Sequence, residues 1–338
     1  MKKFLLGCLL ISICFLFTGC GKYTEKNIVN DLSKKIEKLS GYHLNGELEI
    51  VNNEDSYVYN VEVSYAKDNN FRVSLINKTN NHEQIILRNK DGVYVLTPSL
   101  NKSFKFQSEW PYNNSQAYLL QTILKDLKED TNRVFEENND GYVFTTKVNY
   151  TSNKNMDKQK IYLDKSLSIK KVEVLNSSNA IQMQMTFNDI DYNATYDDTY
   201  FALSGNIKTS SNTDETKTTS NTIDSITYPM YIPENTYLTN QEKIDTDSGE
   251  RVILTFKGDN PFMVVQENSA ISSDFLTIPM YGEPYSIADT VGALSDSSIT
   301  WSRAGVDYYV VSDKLNSSQL LEIANSISVQ SVVKQWYF

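Results

Sequence analysis

The side chains that could do chemistry are few. All three cysteines, Cys8, Cys14 and Cys20, fall within the first twenty of 338 residues. If the chain is cut before Cys20, what remains keeps one thiol and can close no internal disulfide. The two histidines, His43 and His82, have no Cys, Glu or second His at ligand spacing. No G-x-S-x-G turn is available to offer a serine to either of them. Neither a G-x-x-x-x-G-K-[ST] loop nor a G-x-G-x-x-G loop occurs. The 42 acidic residues leave a hydrolytic pair of carboxylates open in principle. Pairs such as Asp189/Asp191 and Asp197/Asp198, however, read as solvation of strand ends and turns. "DTDSGE" at 245–250 lacks the ligand spacing of a calcium loop and sits where a turn is expected. Most enzymes need a nucleophile, a base tuned near neutrality or a metal. The expectation is therefore a protein with no catalytic residues, no metal and no cofactor.

Cys20 is the exception, and its chemistry is acylation. Lys2 and Lys3 precede an apolar run from Phe4 to Phe17, shorter than the ~20 residues that a membrane-spanning helix requires. A positive start, a short apolar region and small residues before the cut describe a secretory signal instead. Phe17-Thr18-Gly19-Cys20 resembles the lipoprotein box, with Phe17 where that box usually has Leu. Residues 1–19 are expected to be a signal peptide and Cys20 to carry a diacylglycerol thioether. Two acyl chains of the palmitate type suffice for stable anchoring, on the extracytoplasmic face of the cell membrane. The formal charge of −10 becomes more negative still when Lys2 and Lys3 leave with the signal. Such a surface repels nucleic acid and anionic headgroups, so neither is an expected electrostatic partner.

The elements around these residues are mostly strands. Ile28, Leu32, Ile36 and Leu39 predict one amphipathic helix ending near Gly41. Tyr57, Tyr59, Val61, Val63 and Tyr65 then alternate with polar residues, as do Phe71, Val73 and Leu75. Strands are expected at 83–88, 92–97 and 102–106, with a turn at Asp91-Gly92. A helix spans 116–128, with Ala117, Leu120, Leu124 and Leu127 as its stripe. Strands resume at 141–149, 158–164, 168–175 and 180–191, the last alternating Ile181, Met183, Met185 and Phe187. Residues 204–222 have too little apolar content to offset ordering entropy and predict a flexible linker. Beyond it, Val252/Leu254/Phe256, "PFMVVQE" and "GVDYYVVS" predict strands. Ile287, Val291 and Leu294 predict a helix, and Leu320, Leu321, Ala324 and Ile327 another, with Asn316 and Gln319 as its cap. "SVVKQWYF" at 331–338 predicts a last strand. The fold class is α+β, a long antiparallel meander with one apolar face and helices to cover it.

Residues 160–203 resemble the closing segment of the LolA/RseB-like lipoprotein-carrier fold. The matching positions are Leu163-Asp164, Val172-Glu173-Val174, Phe187-Asn188-Asp189-Ile190, Asn193, Asp197-Asp198 and Phe201. The segment "ITWSRAGVDYYVVSDKLNSSQLLEIANSI" is similar to a small C-terminal domain of envelope and sporulation proteins. With the box at Cys20, the whole resembles the YdcC-like sporulation and germination lipoproteins. That resemblance implies an incomplete antiparallel β-barrel over 20–203, with helices in its mouth, and a smaller α+β domain over 223–338. It also implies a concave apolar face that accepts acyl chains. The inward candidates are Tyr59, Val61, Val63, Phe71, Val73, Leu75, Ile181, Met183, Met185 and Phe187. The functional expectation is a non-enzymatic envelope lipoprotein binding a lipid-bearing ligand or a protein partner. The alternatives are an RseB-like sensor of a transmembrane regulator and a two-carboxylate peptidoglycan hydrolase.

Overall fold

The computed structural model describes residues 23–328, except 53–54, 151–155, 198, 208–221, 224, 248, 270–275 and 288. The expected signal peptide, Cys20, most of the expected linker and the aromatic tail lie outside the described residues. The chain is mostly β with few helices. Helix α1 (Glu25–Glu37) opens with Thr24, whose hydroxyl accepts from Asn27 N, and turns Ile28, Val29, Leu32 and Ile36 inward. Ser, Thr and Asp are favoured there because their oxygens satisfy amides that the helix leaves unbonded.

Eleven strands follow: β1 (Gly41–Asn52), β2 (Asp55–Ala66), β3 (Asn70–Asn77), β4 (Glu83–Asn89), β5 (Gly92–Thr97), β6 (Lys102–Phe106), β7 (Val134–Glu137), β8 (Gly141–Lys147), β9 (Lys158–Asp164), β10 (Ile169–Leu175) and β11 (Ile181–Asp191). Helix α2 (Leu120–Glu129) interrupts them after β6. A short turn of helix, α3 (Leu203–Asn206), ends this part. The second part holds β12 (Thr236–Thr246), β13 (Gly249–Gly258), β14 (Phe262–Asn268), β15 (Leu276–Met280), β16 (Glu283–Ile287), β17 (Thr290–Leu294), β18 (Ser298–Arg303), β19 (Val306–Val311) and α4 (Ser317–Ser328).

Two sheets form. The first runs β15-β6-β5-β4-β3-β2-β1-β11-β10-β9-β8-β7, and among the described residues nothing pairs its two edges, so it stays open. Its main core joins α1 and α2 to the strands' inward residues, Val61, Val63, Phe71, Val73 and Met185 among them. A smaller cluster covers the other face, where Phe201 meets Ile85, Leu87, Tyr94 and Leu96. The second sheet runs β12-β13-β14-β19-β18-β17-β16, with α4 on one face. Trp301, Phe256, Leu254, Val310, Leu320 and Ile327 fill its core.

Two expectations are corrected, and one strand pairing is new. Residues 287–294 are not a helix: Ile287 pairs with Thr290, so β16 and β17 form a tight hairpin. Alternation is hidden there because β17 is buried on both faces, Val291 and Ala293 in the first core and Leu294 in the second. Gly41 does not end the helix; it opens β1, where an added Cβ would lie 2.5 Å from Ala194 O. A residue without Cβ is needed for that approach. Strand β15, from the second part of the chain, adds to the first sheet in parallel with β6, an insertion the sequence pattern did not predict.

Candidate functional site

The predicted inward stripes are filled core. Val61, Val63, Phe71, Val73 and Met185 are 0–1% exposed, and Tyr59, Leu75, Met183 and Phe187 are also buried. Ile181, at the mouth of β11, is 40% exposed. The structure thus brings nine of the ten together as packing behind α1 and α2, and one of them, Met183, reaches a cavity wall.

That cavity, about 410 Å³, lies where the two sheets meet. Ligand sites commonly occupy ~300–1,000 Å³ at such junctions, with apolar walls and a few placed polar groups. The first sheet supplies Ile50, Val51, Ile86 and Met183, and the loops beside it Tyr118, Tyr150 and Met156. Val291 of β17 and Leu321 of α4 continue the apolar wall. Ser318, Glu322, Asn325 and Ser326 of α4 add a polar stripe at helical spacing, and Asn114, Gln116 and Gln182 add polar groups beside the first sheet. Asn316 Oδ1 accepts from Gln319 N and Gln319 Oε1 from Asn316 N, a reciprocal cap that fixes where α4 begins.

The joint beside the cavity is built from polar groups, buried around Lys102, Asp307 and Gln84 and partly exposed at Thr277, Ser108 and Glu283. Lys102 of β6 reaches Asp307 of β19 at 2.7 Å and Ser269 Oγ at 3.1 Å. Asp307 also accepts from Ser269 Oγ at 2.9 Å and from Ser302 Oγ. Gln84 of β4 behaves as a stretch of backbone: its Oε1 accepts from Val291 N and Thr290 Oγ1, and its Nε2 donates to Val291 O. Ser103 pairs with Thr277 at 2.9 Å, and Ser108 donates to Glu283. Satisfied networks of this kind hold one arrangement, because each group left unpaired in a dry interior would be costly.

Titratable groups near the cavity are perturbed mainly by burial. Burial lifts the Asp126 carboxyl on α2 to about 6, against hydrogen bonds from Ser115 and Gln159, the latter at 2.8 Å. Burial likewise pushes the Tyr150 phenol well above its usual range. At the rim, burial and then the Glu322 carboxylate push Tyr231 up. Burial lowers His82, whose Nε2 has no hydrogen-bond partner, while His43 Nδ1 meets Ser64 Oγ at 3.2 Å. Among the described residues no three His, Cys, Asp or Glu side chains come together to hold a metal, and Glu322 is the one acid in the cavity wall.

Sequence reasoning missed Ile50, Ile86, Val291 and Leu321 as wall residues, since each is an ordinary core residue on its own element, and Tyr150, which lies in a loop. The polar stripe Ser318/Glu322/Asn325/Ser326, beside the apolar one on α4, was the signal available.

The chain belongs to the family of YdcC-like sporulation proteins, whose model, described as "Sporulation protein YdcC-like", matches residues 1–201. It is 34% identical over 331 residues to Sporulation protein YdcC of Bacillus subtilis (strain 168), an alignment covering 98% of each chain. Among solved structures it is similar to a chain of the Pseudomonas aeruginosa MucA/MucB complex, at 12% identity and a TM-score of 0.30 over 88% of this chain and 98% of that one. It is also similar to a chain of the Clostridioides difficile CwlD amidase–GerS lipoprotein complex, at 19%, 0.31, 51% and 98%. The LolA superfamily protein NE2245 from Nitrosomonas europaea gives 11%, 0.30, 52% and 98%. TM-scores of this size express a loose resemblance. Among the described residues no helix is long and apolar enough to cross a membrane.

Proposed function

We propose that this sporulation-family chain is a non-enzymatic binding protein of the cell envelope, anchored through lipid on Cys20, and that the cavity between its sheets takes an amphipathic ligand. Residues 20–203 and 223–338 are its two units, linked through 204–222, and together they enclose the site. One observation carries the reading: the cavity joins apolar side chains, Ile50, Ile86, Met183 and Val291 among them, to a polar stripe on α4, Ser318, Glu322, Asn325 and Ser326. An acyl chain would lie along the apolar wall, and a hydroxyl, amide or ammonium head would meet the polar stripe. Of the buried stripes from Tyr59 to Phe187, Met183 reaches this wall.

Hydrolysis of peptidoglycan is the weaker reading. Glycosidic hydrolysis commonly uses two facing carboxylates, and Glu322 has no second acid beside it in the wall. A protein partner is favoured by a different feature, β12, an 11-residue edge strand exposed along nearly its whole length. Tyr237, Leu238 and Ile244 stand in solvent there, and an unpaired edge can accept a partner's strand.

Native mass spectrometry of the soluble chain lacking residues 1–20 tests the cavity. A co-purified lipid mass that Asn325→Trp or Ser318→Trp removes, with circular dichroism unchanged, supports it. A protein that stays empty when incubated with lysophospholipid overturns it.

A further inference from the structure

The place where the chain would be anchored and the place where the cavity lies are at opposite ends of the first sheet. Tyr23, the first described residue, sets its ring 6.3 Å from that of Tyr142, at the start of β8. Tyr142 pairs with Leu163, and Leu163 with Ile169, so the turn at 165–168 shares this end. Cavity residues lie at the other: Gln182 and Met183 open β11, Ile50 and Val51 close β1, and Tyr150 follows β8. Five residue steps of strand separate Tyr142 from Lys147, about 17 Å at ~3.3 Å per step. Cys20 precedes Tyr23 by three residues, which reach at most ~11 Å when fully extended.

We propose that the anchored chain stands with its Tyr23–Tyr142 end on the membrane surface, and that the cavity faces away from the bilayer that holds it. This rests on the reading of Cys20 as the lipidated residue. Lys34, Lys165 and Lys170 are paired there with Asp31, Glu137 and Asp164 at 3.1, 2.9 and 3.2 Å, so part of the acidic charge at this end is offset. Tyr23, 38% exposed, adds an amphipathic ring of the kind that settles at headgroup depth. The cavity then draws its ligand from the space beyond its own membrane and not from the leaflet beneath it.

The test uses the full lipoprotein, purified from membranes in detergent and reconstituted into phosphatidylethanolamine/phosphatidylglycerol vesicles bearing nitroxide headgroups. With Cys20 blocked as a thioether, a fluorophore can be placed on one introduced thiol, Lys165→Cys or Ile181→Cys, both at exposed positions. Quenching several-fold stronger at 165 than at 181 is expected. Equal quenching, or stronger quenching at 181, overturns the orientation while flotation with the vesicles upholds the anchor. A protein that does not float overturns the Cys20 reading, and the orientation with it.

Discussion

Removing Lys102 should damage the joint more than removing any surface lysine. Its side chain is 5% exposed and that of Asp307 is 12% exposed. Lys102→Met leaves the Asp307 carboxylate buried with the Ser269 and Ser302 hydroxyls as its remaining donors. Breaking a buried pair by deleting one partner costs ~3–5 kcal/mol, and two retained hydrogen bonds to a charge put this variant near 3 kcal/mol. Asp307→Leu strands the ammonium beside Ser269 and should cost about 5 kcal/mol. The double variant leaves no charge to strand and should fall within about 2 kcal/mol of the parent, a coupling of several kcal/mol. Urea unfolding followed by tryptophan fluorescence reads this, since Trp110 lies in the first core and Trp301 in the second. Losses below ~1 kcal/mol for both single variants, or additive losses in the double, would refute the assignment of the joint to this pair.

Three further outcomes follow from the packing. Burial raises Asp126 from 3.8 to about 6, so its contribution to stability is present below about pH 4 and lost as pH rises through 6. Asp126→Asn should therefore gain up to ~3 kcal/mol over the parent at pH 7 and nothing at pH 4, measured as the difference between their urea midpoints. Gly46→Ala should cost at least ~1–3 kcal/mol, because the new Cβ would sit 2.2 Å from Thr186 O; a neutral result in thermal unfolding would contradict the close approach. Met185→Ala should cost ~2–5 kcal/mol yet leave lysophospholipid affinity unchanged, since Met185 is core and not cavity wall.

Much of the first sheet was legible because its strands bury one face. In β2, Val61 and Val63 are buried while Asn60 and Glu62 are exposed, and the sequence alternates in step. In β11, Met183, Met185 and Phe187 do the same. Legibility failed where that contrast disappears. Strand β12 is exposed on both faces, so its polar run reads as loop, and β17 is buried on both, so its apolar run reads as a helix face. The site was hardest to see because Ile86 and Leu321, 235 residues apart in sequence, come to line one cavity, which no local period encodes. The resemblance carried the family correctly, and the stripes it singled out are buried in the core, with Met183 reaching the cavity.

The parallel pairing of β15 with β6 also bears on how the chain comes into being. Ser103 and Thr277, joined across that pair, are separated by 174 positions. A chain that emerges N-terminus first will have most of its first sheet available long before β15 arrives to close its edge. Until then β6 presents open amide and carbonyl groups, a template for unwanted association. Contacts of such sequence separation are made late and slowly. The last third of the protein therefore acts as an internal guardian of the first, and a version truncated after the region that defines the family should be the species that aggregates.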